Sequence, residues 1–195
     1  MISIYYELKN GESVLIREPC IDDAEQIINL MKVADEETKF LARNPGEFKV
    51  EVEQERNIIK SVINGDFGRM WFICEHEGKI IGQCSVGHVR NSERYLHRAS
   101  VAFILLKEYW GRGIGGKMML ECIKWCENHN IEQIELDVVK DNERAIAMYL
   151  RFGFEIVGTM PNALKYKDGT YGDEYLMVKK ITDVNGNKNR KGMYI

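Results

Sequence analysis

The sequence predicts a mixed α+β (α/β) domain, and three observations carry that prediction. Segments with the two-residue period of strands and segments with the 3.6-residue period of helices are interspersed along the 195 residues. Short turn signals join neighbouring strands, so antiparallel hairpins outnumber crossovers. One crossover stands apart: an apolar run, Val101-Ala102-Phe103-Ile104-Leu105-Leu106, leads through Trp110-Gly111-Arg112-Gly113-Ile114-Gly115-Gly116 into a helical pattern.

Ile2 to Leu8 and Val14 to Arg17 read as a hairpin around Asn10-Gly11, because both turn positions need positive φ. Asp22 or Asp23 can cap a first helix whose Ala24, Ile27, Ile28 and Met31 fall at i, i+3, i+4 and i+7. A polar stretch from Asp35 to Gly46 precedes a second helix with Ile58, Ile59, Val62 and Ile63, stopped by Asn64-Gly65. Met70 to Glu75 and Ile80 to His88 are strands joined at Glu77-Gly78-Lys79, and His97 to Leu106 is the next. Ile114, Met118, Cys122 and Cys126 then recur every four residues, the buried stripe of a helix reaching about His129. Ile134, Leu136 and Val138 alternate with Glu135 and Asp137 as in a strand. Asp141-Asn142 opens a short helix ending at Gly153. Phe154 to Met160 and Glu174 to Ile181 are the last strands, with a loop from Pro161 to Asp173 between them. Residues 1–181 read as a single domain, and the polar tail 182–195 as a frayed end.

Composition removes several classes of function. Apolar residues make up 45% of the chain and charged residues 29%, enough for one well-buried core. A net charge of −3 supplies no basic field for nucleic acid. No apolar run approaches the ~18 residues of a spanning helix, so no membrane partner is expected. The start, Met1-Ile2-Ser3-Ile4-Tyr5-Tyr6-Glu7, has neither the basic residues nor the apolar stretch of a signal peptide. The five cysteines lack paired or metal-ligand spacing. A cytoplasmic protein without a bound metal is expected.

The glycine turn is built to approach an anion: backbone N–H groups come close, with a positive helix end behind them. Gly111-x-Gly113-x-x-Gly116 matches the dinucleotide-binding pattern, yet about 100 residues of hairpins and helices precede it, and Asp137 lies inside its strand. A phosphate loop of the Gly-Lys-Ser/Thr type is absent, because Gly116-Lys117 is followed by Met118. Glycines used only for tight packing are the remaining alternative. Asn142, Ala145 and Tyr149 decide among these readings. They share one face of one helix, with Asn142 and Tyr149 roughly 10 Å apart along the axis. An amide, a small residue and a phenol in a row can follow an elongated ligand that carries amides.

Together these segments resemble the Gcn5-related N-acetyltransferase (GNAT) superfamily. Its pattern Gln/Arg-x-x-Gly-x-Gly/Ala is met by Gly113-Ile114-Gly115, with Trp110 in place of the usual Gln or Arg. Its pattern Asn-x-x-Ala-x-x-x-Tyr-x-x-x-Gly-Phe is met in full by Asn142, Ala145, Tyr149, Gly153 and Phe154. The element order fits from about Val14 to Ile181. The resemblance implies a mostly antiparallel, twisted sheet of about seven strands with about four helices. A bulge would splay the fourth and fifth core strands to admit acetyl-CoA. N–H groups from Gly111 to Gly116 would hold the pyrophosphate, with Arg112 and Lys117 adding charge. The backbone of Phe103, Ile104 and Leu105 would pair with pantetheine amides and polarise the thioester carbonyl. Asn142 would bond the pantetheine arm, or serve only as a helix cap. Tyr149 would return a proton to the leaving thiolate, or be a core aromatic.

The implied activity is acetyl transfer from acetyl-CoA to a primary amine by direct attack in a ternary complex. The acceptor is a small-molecule amine or polyamine, or a protein N-terminal amine. The alternatives are a catalytically silent acyl-CoA sensor of the same fold and, from the literal glycine match, a nicotinamide dehydrogenase. A homodimer is allowed for. Many relatives carry a Glu base where this chain reads His97-Arg98-Ala99-Ser100-Val101. His97, Glu75, Asp137 and a water chain remain open for that task. The acceptor is expected between the early helices, the loop Asp35 to Glu47 and the loop Pro161 to Asp173. Asp35, Glu36, Glu37 and Glu47 would give it an acidic rim suited to a cation. Asp173-Glu174-Tyr175-Leu176-Met177 resembles the branch that includes ribosomal-protein and small-molecule amine acetyltransferases.

Overall fold

The computed structural model describes residues 2–65 and 68–181. Its elements are β1 (Ser3–Glu7), β2 (Ser13–Arg17), α1 (Ala24–Glu37), α2 (Val52–Ile63), β3 (Arg69–His76), β4 (Lys79–His88) and β5 (Arg98–Leu105). They continue as α3 (Ile114–Asn128), β6 (Gln133–Val139), α4 (Glu143–Arg151), β7 (Glu155–Lys165) and β8 (Tyr171–Lys180). The strands form one sheet in the order β1-β2-β3-β4-β5-β6-β8-β7, with β5 and β6 the parallel pair among antiparallel neighbours. The N-terminal hairpin adds an edge strand, so the sheet has eight strands rather than seven. The tail expected to fray lies outside the described residues. No helix among those described is long and apolar enough to cross a membrane.

Strand alternation places the helices. Gln83 of β4 reaches Met31 Sδ of α1 at 3.2 Å, whereas Cys84, facing the other way, lies 3.6 Å from Cys122 of α3. Helices α1 and α3 therefore cover opposite faces. The stripe Ile114, Met118, Cys122 and Cys126 is fully buried under α3, as its spacing predicts.

The sheet opens where β5 leaves β6. Their pairing covers Arg98, Ala99 and Ser100 against Gln133, Ile134 and Glu135, and stops there. Beyond Ser100, β5 stays in register with β4 through Leu105 while its other edge is unpaired. The expected splay is present without the expected bulge, because the β4–β5 register has no shift. Near the paired end, Arg98 makes a bidentate contact to Glu135 at 2.7 and 2.6 Å.

Two local expectations change. The stretch Pro161 to Asp173 is mostly strand: β7 runs on to Lys165 and β8 starts at Tyr171. Pro161 and Asn162 hide this because they sit in a register shift between Met160 and Leu164. Asn162 has φ 54° and donates its N–H to Asp173 Oδ1 at 3.0 Å. Asp23 makes no side-chain cap on α1. It accepts two bonds from Arg17 at 2.7 and 2.8 Å and one from the Cys20 N–H at 2.6 Å. Arg17 also reaches Glu75 of β3 at 2.9 Å, tying the entry of α1 to two strands.

Burial alone would raise the Asp23 carboxyl, but the Arg17 and Cys20 donors outweigh it and hold the pKa below its ordinary value. A depressed folded pKa stabilises above the unfolded value of about 3.9 and loses that contribution as pH falls through the folded value. Asp23→Ala is expected to cost ~2 kcal/mol in urea unfolding at pH 7, by leaving Arg17 with Glu75 as its one carboxylate and the Cys20 N–H without its acceptor. The gap from wild type should narrow below about pH 3.9.

Candidate active site

Two glycines make the turn after β5 and two others seat it. Gly111 (φ 77°) and Gly113 (φ 86°) hold left-handed backbone, and a Cβ on either would meet nothing within 4 Å. Packing therefore does not select them; the backbone path does. A Cβ on Gly115 would stand 3.1 Å from Met148 Sδ of α4, and one on Gly116 would stand 3.5 Å from Phe152. Those two glycines let α3 and α4 close together.

The amides exposed by this turn are free. Lys117 N–H, bonded to Gly113 O at 3.3 Å, is the first in α3 with a backbone acceptor. From Gly111 to Gly116 no amide N–H has an acceptor among the described residues. The unpaired edge of β5 leads up to them. Leu106 N–H bonds Ile81 O of β4, so alternation turns the backbone of Ile104 to β4 and that of Phe103 and Leu105 to the opening. Of the three residues expected to pair with a ligand, Phe103 and Leu105 offer backbone groups there and Ile104 does not. Trp110 donates its indole N–H to Leu105 O at 2.7 Å, which occupies that carbonyl.

Helix α4 borders the same opening. Asn142 is its cap, accepting the Ala145 N–H at 3.3 Å on Oδ1 and keeping its side-chain NH2 as a donor. Tyr149 is buried, its ring 6.3 Å from Phe103 and 5.8 Å from Phe154. Its hydroxyl has no hydrogen-bond partner among the described residues. Burial, with a smaller push from Cys122, raises its pKa to about 12.

The cations expected beside the turn are engaged elsewhere. Arg112 pairs with Glu12 at 3.2 Å and lies over the Tyr109 ring, and Lys117 lies 4.9 Å from the Tyr6 ring. Instead Arg144 of α4 lies over the indole of Trp110. Sequence spacing gave no signal for that contact, which joins distant elements.

Among the open candidates for a base, Glu75 is bonded to Arg17, and His97 precedes β5 at its paired end. Asp137 lies two residues beyond Glu135, the last paired position of β6. It shares the face of Glu135 and Arg98, which is the α1 face of the sheet. Burial first, then Glu135, raises its carboxyl pKa, and burial and Asp137 raise that of Glu174 on β8.

On that face the loop after α1 meets the β7–β8 hairpin around a cleft of about 240 Å³ that includes Lys39, Arg43, Leu164 and Tyr166. Lys167 Nζ bonds Pro45 O across it at 3.3 Å. The expected acidic rim is not free. Asp35 takes Arg43 in a bidentate pair at 3.0 and 2.9 Å, Glu37 accepts the Lys107 N–H, and Glu47 caps Asn44. Local capping and pairing consume three of the four carboxylates.

Residues 31–154 match the profile of the Acetyltransferase (GNAT) family. The chain belongs to this family. It is similar to an L-amino acid N-acetyltransferase, AaaT, of Escherichia coli, at 33% identity over 53% of this chain and 63% of that protein. The match thus spans under two thirds of that relative. The fold is similar to an acetyltransferase of the GNAT family from Streptococcus pneumoniae, with TM-score 0.80 and 24% identity over 87% of this chain and 99% of that one. It is also similar to a phosphinothricin acetyltransferase from Sinorhizobium meliloti in complex with acetyl-CoA, with TM-score 0.75 and 21% identity over 93% and 95% of the two chains.

Because Gly113 meets no neighbour, Gly113→Ala should act through its left-handed backbone alone. Urea unfolding is expected to register a loss of ~1 kcal/mol.

Proposed function

We propose that this protein transfers the acetyl group of acetyl-CoA to a primary amine by direct attack in a ternary complex. The observation that carries the reading is the pairing of two open features, the edge of β5 left unpaired beyond Ser100 and the unbonded amides of Gly111 to Gly116 in the turn that follows it. A strand-like chain of amides ending in phosphates is the ligand that such an edge fits. The open space over Gly111 and Gly113 admits it, and the sinking of Gly115 and Gly116 against α4 sets Asn142 and Tyr149 beside it. A nicotinamide cofactor would leave the edge of β5 unused. The known relatives named for acetyl-CoA or for N-acetylation support the same reading. The free, buried Cys74, Cys84, Cys122 and Cys126 suit the reducing cytoplasm expected for it.

Acetyl-CoA supplies an activated thioester, and the residues divide the remaining work. The Phe103 N–H, at the open edge, donates to the thioester carbonyl as charge develops on its oxygen. Asn142 NH2 donates to a carbonyl of the pantetheine arm. The acceptor approaches from the α1 face, where Asp137 takes the amine proton directly or through water. As the N–C bond forms and the C–S bond breaks, Tyr149 on the opposite face gives its proton to the sulfur. Near pKa 12 a phenol is a poor donor to an ordinary thiolate of pKa about 8.5. The burial that raises the phenol also disfavours a charged thiolate beside it, which narrows that mismatch.

The acceptor is a small-molecule amine, a polyamine or a protein N-terminal amine. Loss of the free acidic rim lowers the claim of polycations. A panel of amines monitored by CoA release identifies which class is used.

Tyr149→Phe is expected to keep the affinity for acetyl-CoA and cut kcat by ~10²-fold, read by calorimetric titration beside steady-state kinetics. Equal turnover across acceptors would remove Tyr149 as the acid. Asp137→Asn should also lower kcat by ~10²-fold. In the wild type the rate should rise with pH through a pKa above the ordinary carboxylate value, since the ionised carboxyl is the base. An acid limb that survives in Asp137→Asn would reassign the proton acceptor.

A further inference from the structure

The position where the family pattern has Gln or Arg carries Trp110, and the structure places a guanidinium there by another route. Arg144, in the first turn of α4, has its guanidinium carbon 3.5 Å from the centroid of the Trp110 ring. The ring is itself fixed by its bond to Leu105 O at 2.7 Å, so the platform is rigid on both sides. Trp110 directly precedes Gly111, the first of the unbonded amides.

Arg144 differs from four arginines around the sheet. Arg17, Arg43, Arg98 and Arg112 each pair with a carboxylate. Arg144 has no carboxylate or carbonyl partner among the described residues, and partial burial lowers its pKa. A guanidinium keeps its charge under such a shift. With its guanidinium carbon over the ring and no carboxylate partner among the described residues, Arg144 keeps N–H donors for a planar or tetrahedral anion. Arg112 and Lys117, the alternative cations, are held by Glu12, Tyr109 and Tyr6.

We propose that Arg144, stacked on Trp110, is a ligand of the pyrophosphate of acetyl-CoA, with Trp110 as its positioning residue. The inference rests on the acetyl-CoA reading and goes beyond it. The backbone amides then supply directional bonds, and α4 supplies a guanidinium that no carboxylate among the described residues neutralises, unlike Arg112 of the turn. One helix would thereby touch the ligand at its phosphates through Arg144, at its arm through Asn142 and at its sulfur through Tyr149.

Calorimetric titration of wild type, Arg144→Ala and Arg144→Lys with CoA and with pantetheine, which has no pyrophosphate, tests this. Arg144→Ala is expected to weaken CoA binding by about tenfold, the scale of one charge-assisted contact, and to leave pantetheine binding unchanged. Arg144→Lys should recover part of the loss, because a point charge remains without the stacked fork. Unchanged CoA affinity in Arg144→Ala, or equal losses for CoA and pantetheine, would overturn the assignment while leaving the acetyl-CoA reading in place. Failure of the wild type to bind CoA at all would overturn both.

Discussion

The parting of β5 from β6 after Ser100 is the constraint on which the rest of this molecule depends. A strand edge inside a packed domain presents N–H and C=O groups that cost free energy unless something bonds them. At β5 the next strand is withheld, and the helices on either side do not bond its backbone. The Arg98 and Glu135 pair lies where pairing ends, and Tyr149 and Phe103 stand beside the open segment. A ligand that behaves as a strand is the way to complete such a sheet. The free amides after Gly111 extend the same line of donors toward an anion.

That geometry also separates two proton tasks. Alternation puts Asp137 on the α1 face and the Tyr149–Phe103 contact on the α3 face, with the opening between them. A nucleophile and a leaving group on opposite sides of one carbonyl need a base and an acid in that arrangement. Burial acts on both groups by disfavouring charge, and it raises both pKa values. For the carboxylate this gives a stronger base at neutral pH, and for the phenol it guarantees the protonated form. One physical cause thus raises both pKa values, the direction that the proposed base and the proposed acid each require.

Much of this was legible in the sequence because it is local. The stripe from Ile114 to Cys126, the hairpin at Asn10-Gly11 and the face of Asn142, Ala145 and Tyr149 are statements about near neighbours, which periodicity reports directly. What stayed hidden depends on contacts between distant segments. Nothing near Glu37 in sequence says that the Lys107 N–H will take its carboxylate, and nothing at Pro161 says that a register shift against β8 lets β7 continue to Lys165. The family resemblance points to Phe103, Ile104 and Leu105 as one stretch and does not say which of them turn to the opening. Only the pairing of Leu106 with Ile81 reveals which amides turn inward.

Helix α4 joins these threads. Asn142 caps it, Arg144 and Tyr149 lie on it, and Met148 and the following Phe152 rest where Gly115 and Gly116 of α3 leave room. The glycine turn therefore does two things with different residues. Gly111 and Gly113 shape the cradle, while Gly115 and Gly116 fix how closely α4 approaches it. A larger side chain at Gly115 would have to displace the Met148 side chain on the helix that carries the guanidinium and the phenol. Changes at that seat should disturb both ends of the bound ligand together, whereas changes at Gly113 should act on the turn alone. The two glycine pairs are thus separable in function although they are adjacent in sequence.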